Sequence, residues 1–277
     1  MKITKPLVSV DWLYSNLEHE NLIILDCTIP KVTANTAILE EKEQIKGAIF
    51  FDIKNVFSDK NAQFPNTVLS PKEFEDKAQN LGINNDSIIV CYDNLGIYSS
   101  ARVWWMFQLM GFTNIAVLNG GLPAWRAKKF PVEIAKTNQL KKGDFEINYK
   151  PEKIKYTQNI LDSLENKDVL IIDARSKGRF YGTQPEPRKG LKSGHIPNSV
   201  NLPFEEVLED GKMKSIAELK HIFSSFKNKK QLIFTCGSGI TASILILAAT
   251  ISNIKNCAVY DGSWTEWAST ENLPIQQ

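Results

Sequence analysis

The same order of sequence elements occurs twice along this chain, at a spacing of about 145 residues, so the fold must be built from two similar units. Leu22–Asp26 (L-I-I-L-D) and Val169–Asp173 (V-L-I-I-D) are apolar runs of buried-strand length, each ending in an aspartate. Ser9 and Thr157, upstream of them, are candidate helix caps. Residues 44–49 (Q-I-K-G-A-I) answer residues 195–200 (H-I-P-N-S-V). Ser70 with Glu73, and Ser215 with Glu218, then spell a capping box that opens a helix in each half. The apolar strands 88–92 and 232–235 follow, each leading through a short turn into an apolar helix. Residues 117–125 (V-L-N-G-G-L-P-A-W) match 259–267 (V-Y-D-G-S-W-T-E-W), and Pro131 and Pro274 close the two units. Strands alternating with helices predict an α/β fold, with a mainly parallel sheet in each unit covered by helices on both faces.

A length of 277 residues suits two domains, each with its own core, and the expected boundaries are 1–137 and 150–277, with the polar stretch 135–153 as linker. The 33 basic residues nearly balance 31 acidic ones without a long basic run, so neither nucleic acid nor an anionic membrane is expected as a partner. The longest apolar stretch, Ala242–Ile251, is interrupted by Ser243 and Thr250 and is too short to span a bilayer; a buried helix is expected there. Residues 1–12 lack the apolar core and cleavage site of a signal peptide, which implies a cytoplasmic location. Cys27, Cys91, Cys236 and Cys257 are widely spaced, with no C-x-x-C pair, so neither a disulfide framework nor a zinc site is indicated. No metal constellation and no nucleotide loop occurs, so no cofactor is implied.

The repeat also shows where the halves differ. Where the second half has Cys236 after its strand, the first has Asp93, and only the second can do thiol chemistry. The first domain is therefore expected to be catalytically inactive. In T-C-G-S-G-I-T-A-S the two glycines allow a tight strand-to-helix turn. Such a turn points backbone N–H groups inward at a helix N-terminus and favours an anion, so a thiolate or a persulfide should be stabilised there. The bland alternative, a buried apolar cysteine, fits a G-S-G turn poorly, whereas Cys27, Cys91 and Cys257 lie in or beside strands and read as packing residues. A cysteine phosphatase would need an arginine where Ala242 stands.

The loop C-G-S-G-I-T, the terminal D-G-S-W-T-E-W, the runs 178–188 (G-R-F-Y-G-T-Q-P-E-P-R) and 194–201 (G-H-I-P-N-S-V-N), and residues 98–105 (Y-S-S-A-R-V-W-W) strongly resemble 3-mercaptopyruvate sulfurtransferases, over nearly the whole chain. The resemblance implies two tandem rhodanese-like domains with Cys236 as nucleophile in the second. It implies sulfur transfer from 3-mercaptopyruvate, releasing pyruvate, to a thiol such as thioredoxin or to cyanide. Arg179 and Arg188 match the family's substrate arginines, and the loop residues Gly237, Gly239, Ile240 and Thr241 would line the donor site. Ser238 is the expected donor or proton source for the departing pyruvate enolate. The sister thiosulfate sulfurtransferases carry two cations where Gly237 and Ser238 stand, so thiosulfate is the second choice of donor. A non-catalytic persulfide carrier or redox sensor is the alternative from another class.

The sequence departs from the family in one respect. Proposals for the family give the serine histidine and aspartate partners; the family's H-I-P-G-A appears here as Q-I-K-G-A, with Gln44 in place of the histidine, and residues 31–43 contain no aspartate. Gln44 can orient a hydroxyl but cannot accept its proton. His195 is expected to make a structural hydrogen bond, and Asp26 and Asp173 to serve structure.

Overall fold

The computed structural model describes residues 2–29, 42–136 and 140–277. By contact the chain forms two units, Met1–Asp59 with Val68–Tyr149 and Asp210–Met213, and Lys60–Thr67 with Lys150–Glu209 and Lys214–Gln277. The second unit therefore includes a short segment, residues 60–67, that precedes most of the first unit's chain.

Each unit holds a five-stranded parallel sheet. In the first, the spatial order is Leu7–Val8, Ile115–Leu118, Ile88–Tyr92, Leu22–Asp26, Ile49–Phe50. The second has the equivalent order, Ile154–Lys155, Cys257–Tyr260, Gln231–Thr235, Val169–Asp173, Val200–Asn201. Asp26 pairs with Tyr92 and Asp173 with Thr235, so in both sheets the residue after the central strand, Asp93 or Cys236, emerges at the same place. That is the carboxyl end of a parallel sheet, where open α/β folds build their sites.

Burial explains the helices that follow. Ser100–Leu109 buries nine of its ten residues, Arg102 among them, and Ala242–Ile251 buries eight of ten, as expected for a helix that is apolar on nearly every side. Ser243 fits this interior and Thr250 lies on the exposed end of the same helix, and each hydroxyl bonds a carbonyl four residues back, on Gly239 and Ile246. Ser70 and Ser215 form the two expected capping boxes with Glu73 and Glu218, and Ser9 caps through Trp12 N–H. Thr157 does not cap. Tyr156 occupies the cap position, and the Thr157 hydroxyl lies instead 2.8 Å from the Tyr260 hydroxyl and donates to Glu266 at 2.5 Å.

The repeat is visible down to single bonds. The Trp125 indole donates to Pro131 O at 2.9 Å and the Trp267 indole to Pro274 O at 2.8 Å, each tryptophan fully buried in its unit's core. Part of the expected linker is packed: Phe145 is wholly buried in edge contacts with Phe74, Phe107 and Phe112, while residues 137–139 fall outside the described residues.

His195 makes the structural bond expected of it, donating from Nδ1 to Phe180 O at 3.0 Å and stacking on the Phe180 ring. Burial pushes its pKa below the ordinary histidine value despite that bond. The unfolded chain therefore takes up this proton first as pH falls below about 6.5, and stability held above that pH is progressively lost. Melting temperature should fall between pH 7 and pH 5, and His195→Asn should show a shallower fall; an unchanged slope would remove His195 as the cause.

Candidate active site

The loop around Cys236 is shaped from both ends. Gly239 takes a left-handed φ of 78°, and Thr241 occupies the N-cap position of Ala242–Ile251 without a side-chain cap bond. The loop is also braced by the segment after the last strand. Trp264 N–H donates to Cys236 O at 2.9 Å, and Thr265 donates to Gly237 O from both its N–H, 3.0 Å, and its hydroxyl, 2.6 Å.

Ser263 is the residue that sequence reading missed here. Its hydroxyl accepts the N–H groups of Cys236 at 3.3 Å and Gly239 at 3.1 Å, and donates to Tyr260 O at 2.8 Å. It does so from a φ of 52°, unfavourable for a residue with a Cβ. The repeat supplies the comparison: Gly121, its counterpart in the first unit, has the same φ of 52°. A Cβ on Gly121 would come within 2.3 Å of Asp93 O and 2.5 Å of Gly96 O, so only glycine fits there. In the second unit there is room for a serine, and the strain is offset by two loop amides satisfied at once. Two of the expected inward N–H groups are therefore already taken. Among the described residues, those of Gly237, Ser238, Ile240 and Thr241 meet no protein acceptor. Ile240 and Thr241 contribute to the loop through these amides.

The two arginines singled out in the sequence come to this loop. A Cβ placed on Gly237 would lie 3.1 Å from an Arg179 terminal nitrogen and 3.8 Å from one of Arg188, so glycine keeps the space between them. Arg188 donates to the Ser238 hydroxyl and to the Thr265 hydroxyl, both at 3.2 Å. Arg179 makes a forked pair with the buried Glu186 at 3.0 and 2.5 Å. Glu186 also receives Arg175 at 2.8 Å, and Arg175 is held by Asp173 and lies over the Trp264 ring. Asp173, at its strand end, thus fixes Arg179 indirectly. Removing one member of such a buried pair costs about 3–5 kcal/mol.

Gln44 is bonded within its own unit. Its amide donates to Ala48 O at 2.8 Å and to Glu133 at 3.2 Å, within the first unit. It is the counterpart of His195 in the repeat, and like it a turn fastener. Ser238 is met by Asn66, whose side-chain nitrogen lies 2.9 Å from the Ser238 hydroxyl oxygen and 3.4 Å from its carbonyl oxygen. Asn66 and Ser238 are 172 positions apart, and no motif or spacing marks Asn66. Residues 31–41, most of the stretch searched for an aspartate, fall outside the described residues.

In the first unit the equivalent loop is filled by its own side chain. The Asp93 carboxylate accepts N–H groups from Leu95, Tyr98 and Ser100 and the Ser100 hydroxyl, all at 2.7 to 3.0 Å. Among the described residues, no group of three or more His, Cys, Asp and Glu side chains forms a metal site, and no helix is long and apolar enough to cross a membrane.

The rhodanese-like domain family matches this chain twice, over residues 9–128 and 157–270. Mouse 3-mercaptopyruvate sulfurtransferase is 37% identical over 277 residues, covering 96% of this chain and 93% of that protein. Rat thiosulfate sulfurtransferase is 38% identical over 276 residues, covering 95% and 92%. The crystal structure of SseA from Escherichia coli, described as a 3-mercaptopyruvate sulfotransferase with the rhodanese fold, aligns with a TM-score of 0.83 and 30% identity over 94% of this chain and 99% of that one. The chain belongs to the rhodanese-like family and is a sulfurtransferase built from two rhodanese-like domains.

Proposed function

We propose that this sulfurtransferase takes sulfur from 3-mercaptopyruvate onto Cys236 as a persulfide, releases pyruvate, and passes the sulfur to an acceptor thiol such as thioredoxin, or to cyanide. The Cys236 thiolate attacks the substrate sulfur and the carbon–sulfur bond breaks, leaving its electron pair on carbon as the pyruvate enolate. The thiol proton of the substrate ends on that carbon, giving pyruvate and a persulfide anion. Atoms and charge balance without an outside oxidant or acid. The loop amides of Gly237, Ser238, Ile240 and Thr241, at the head of the Ala242–Ile251 helix, favour the anion left on sulfur.

The observation that carries the choice of donor is the convergence of Arg179, Arg188 and the Ser238 hydroxyl on Gly237, one residue from the nucleophile. A planar guanidinium suits the carboxylate of a keto acid, and a hydroxyl suits the ketone that becomes an enolate. The Arg179 charge is already met by Glu186, which favours a monoanionic donor over dianionic thiosulfate. The first domain is catalytically inactive in this reading, because the Asp93 carboxylate occupies the loop that would hold an anion. A cytoplasmic setting, with no membrane or nucleic-acid partner, belongs to the same proposal.

Purified protein given 3-mercaptopyruvate and a small thiol should release pyruvate over many turnovers, with thiosulfate the poorer donor. Turnover of thiosulfate alone would make the chain a thiosulfate sulfurtransferase. No turnover of either donor would make it a persulfide carrier.

A further inference from the structure

Hydrogen-bond accounting at Ser238 assigns a role to Asn66 and fixes the direction in which the serine works. A hydroxyl oxygen has two acceptor lone pairs and one hydrogen. Both acceptor positions on Ser238 are used, by Asn66 at 2.9 Å and Arg188 at 3.2 Å. Neither partner atom can take a proton from the serine, because an amide nitrogen and a guanidinium only donate. The Ser238 hydroxyl meets no protein acceptor among the described residues, and the side chain is almost buried.

We infer that Asn66 is a positioning residue which, with Arg188, turns Ser238 into a dedicated hydrogen-bond donor for the oxygen of the departing enolate, with no base behind it. This rests on the reading that the chain releases pyruvate from 3-mercaptopyruvate. The chemistry agrees with it: the hydrogen that completes the methyl group of pyruvate is already on the substrate sulfur, so the serine need not give up its own. A donor held at the place where charge develops is sufficient. The Asn66 backbone is suited to hold such a pose, since its φ of 63° lies in the left-handed region that asparagine tolerates better than most residues.

Two substitutions separate this role from simple support. Asn66→Gly removes the amide without straining the left-handed backbone, and should lower kcat for pyruvate release about tenfold. Asn66→Asp keeps the shape but replaces a donor by an anionic acceptor. It would capture the serine hydrogen and oppose the enolate charge, so kcat should fall about a hundredfold, well below the glycine variant. In a Ser238→Ala background the glycine substitution should add almost nothing, because the group it positions is gone. Melting temperatures of all variants check folding. Asn66→Asp equal to or faster than wild type would mean that the serine needs a base and would overturn the inference; equal losses in the two single variants, or additive losses in the double variant, would do the same. A wild type that releases no pyruvate would instead defeat the underlying reading of the reaction.

Discussion

Cys236→Ser is expected to abolish sulfur transfer, whereas Cys27→Ser, Cys91→Ser and Cys257→Ser should each retain it. Removing the nucleophile of a covalent mechanism costs about a millionfold in turnover, beyond detection in an ordinary assay. The other three thiols lack the setting. Burial pushes Cys257 up to about 12, and burial with a bond to Cys91 raises Cys27 well above the usual range, so both stay protonated at neutral pH. Cys91 is completely buried in a central strand of the first unit. Serine at Cys27 or Cys91 places a hydroxyl in an apolar interior, at about 1–3 kcal/mol, so the melting temperatures of those two variants should fall while turnover persists in all three. Substantial pyruvate release by Cys236→Ser would remove the site from this loop.

The second large effect concerns the donor. Changing Gly237 to arginine and Ser238 to lysine should move preference toward thiosulfate, because each cation adds about 3 kcal/mol of attraction at 5 Å and an effective dielectric near 20. The same change should depress 3-mercaptopyruvate turnover. It removes the oriented hydroxyl, and a side chain at position 237 must displace the Arg179 nitrogen that a Cβ would meet at 3.1 Å. Arg188→Lys tests the other half. It keeps the charge but cannot span the Ser238 and Thr265 hydroxyls as a fork, and should raise KM for 3-mercaptopyruvate about tenfold to a hundredfold. If kcat/KM for the two donors moves in parallel in both variants, neither the arginine nor the loop discriminates between them.

Much of the fold was legible because its rules are local or periodic. Strand runs, capping boxes and the paired tryptophans recur at one spacing, and the two sheets have equivalent strand orders. Thr157 is ambiguous in the sequence because a hydroxyl before an apolar run marks either the cap or the first turn, and its tertiary partners Tyr260 and Glu266 hold it in the first turn. Cys236, Ser238 and the loop glycines stand out by position within a turn, and Arg179 and Arg188 by resemblance. The residues that aim them do not. Glu186 orients Arg179 through a buried pair, Ser263 satisfies two loop amides through a strained backbone, and Asn66 reaches Ser238 across most of the chain. None of these relations has a sequence period. Gln44 stands in a recognisable motif and bonds Ala48 O, whereas Asn66, which meets Ser238, stands in a turn without one.

The central claim, a persulfide on Cys236, is tested most directly by the mass of the loop peptide. Wild-type protein incubated with 3-mercaptopyruvate and no acceptor, then digested without reductant, should show the peptide containing Cys236 heavier by one sulfur atom, and the added sulfur should disappear on treatment with cyanide. Peptides containing Cys27, Cys91 or Cys257 should keep their mass. An unmodified Cys236 peptide, or a sulfur atom carried on one of the other three cysteines, would contradict the account.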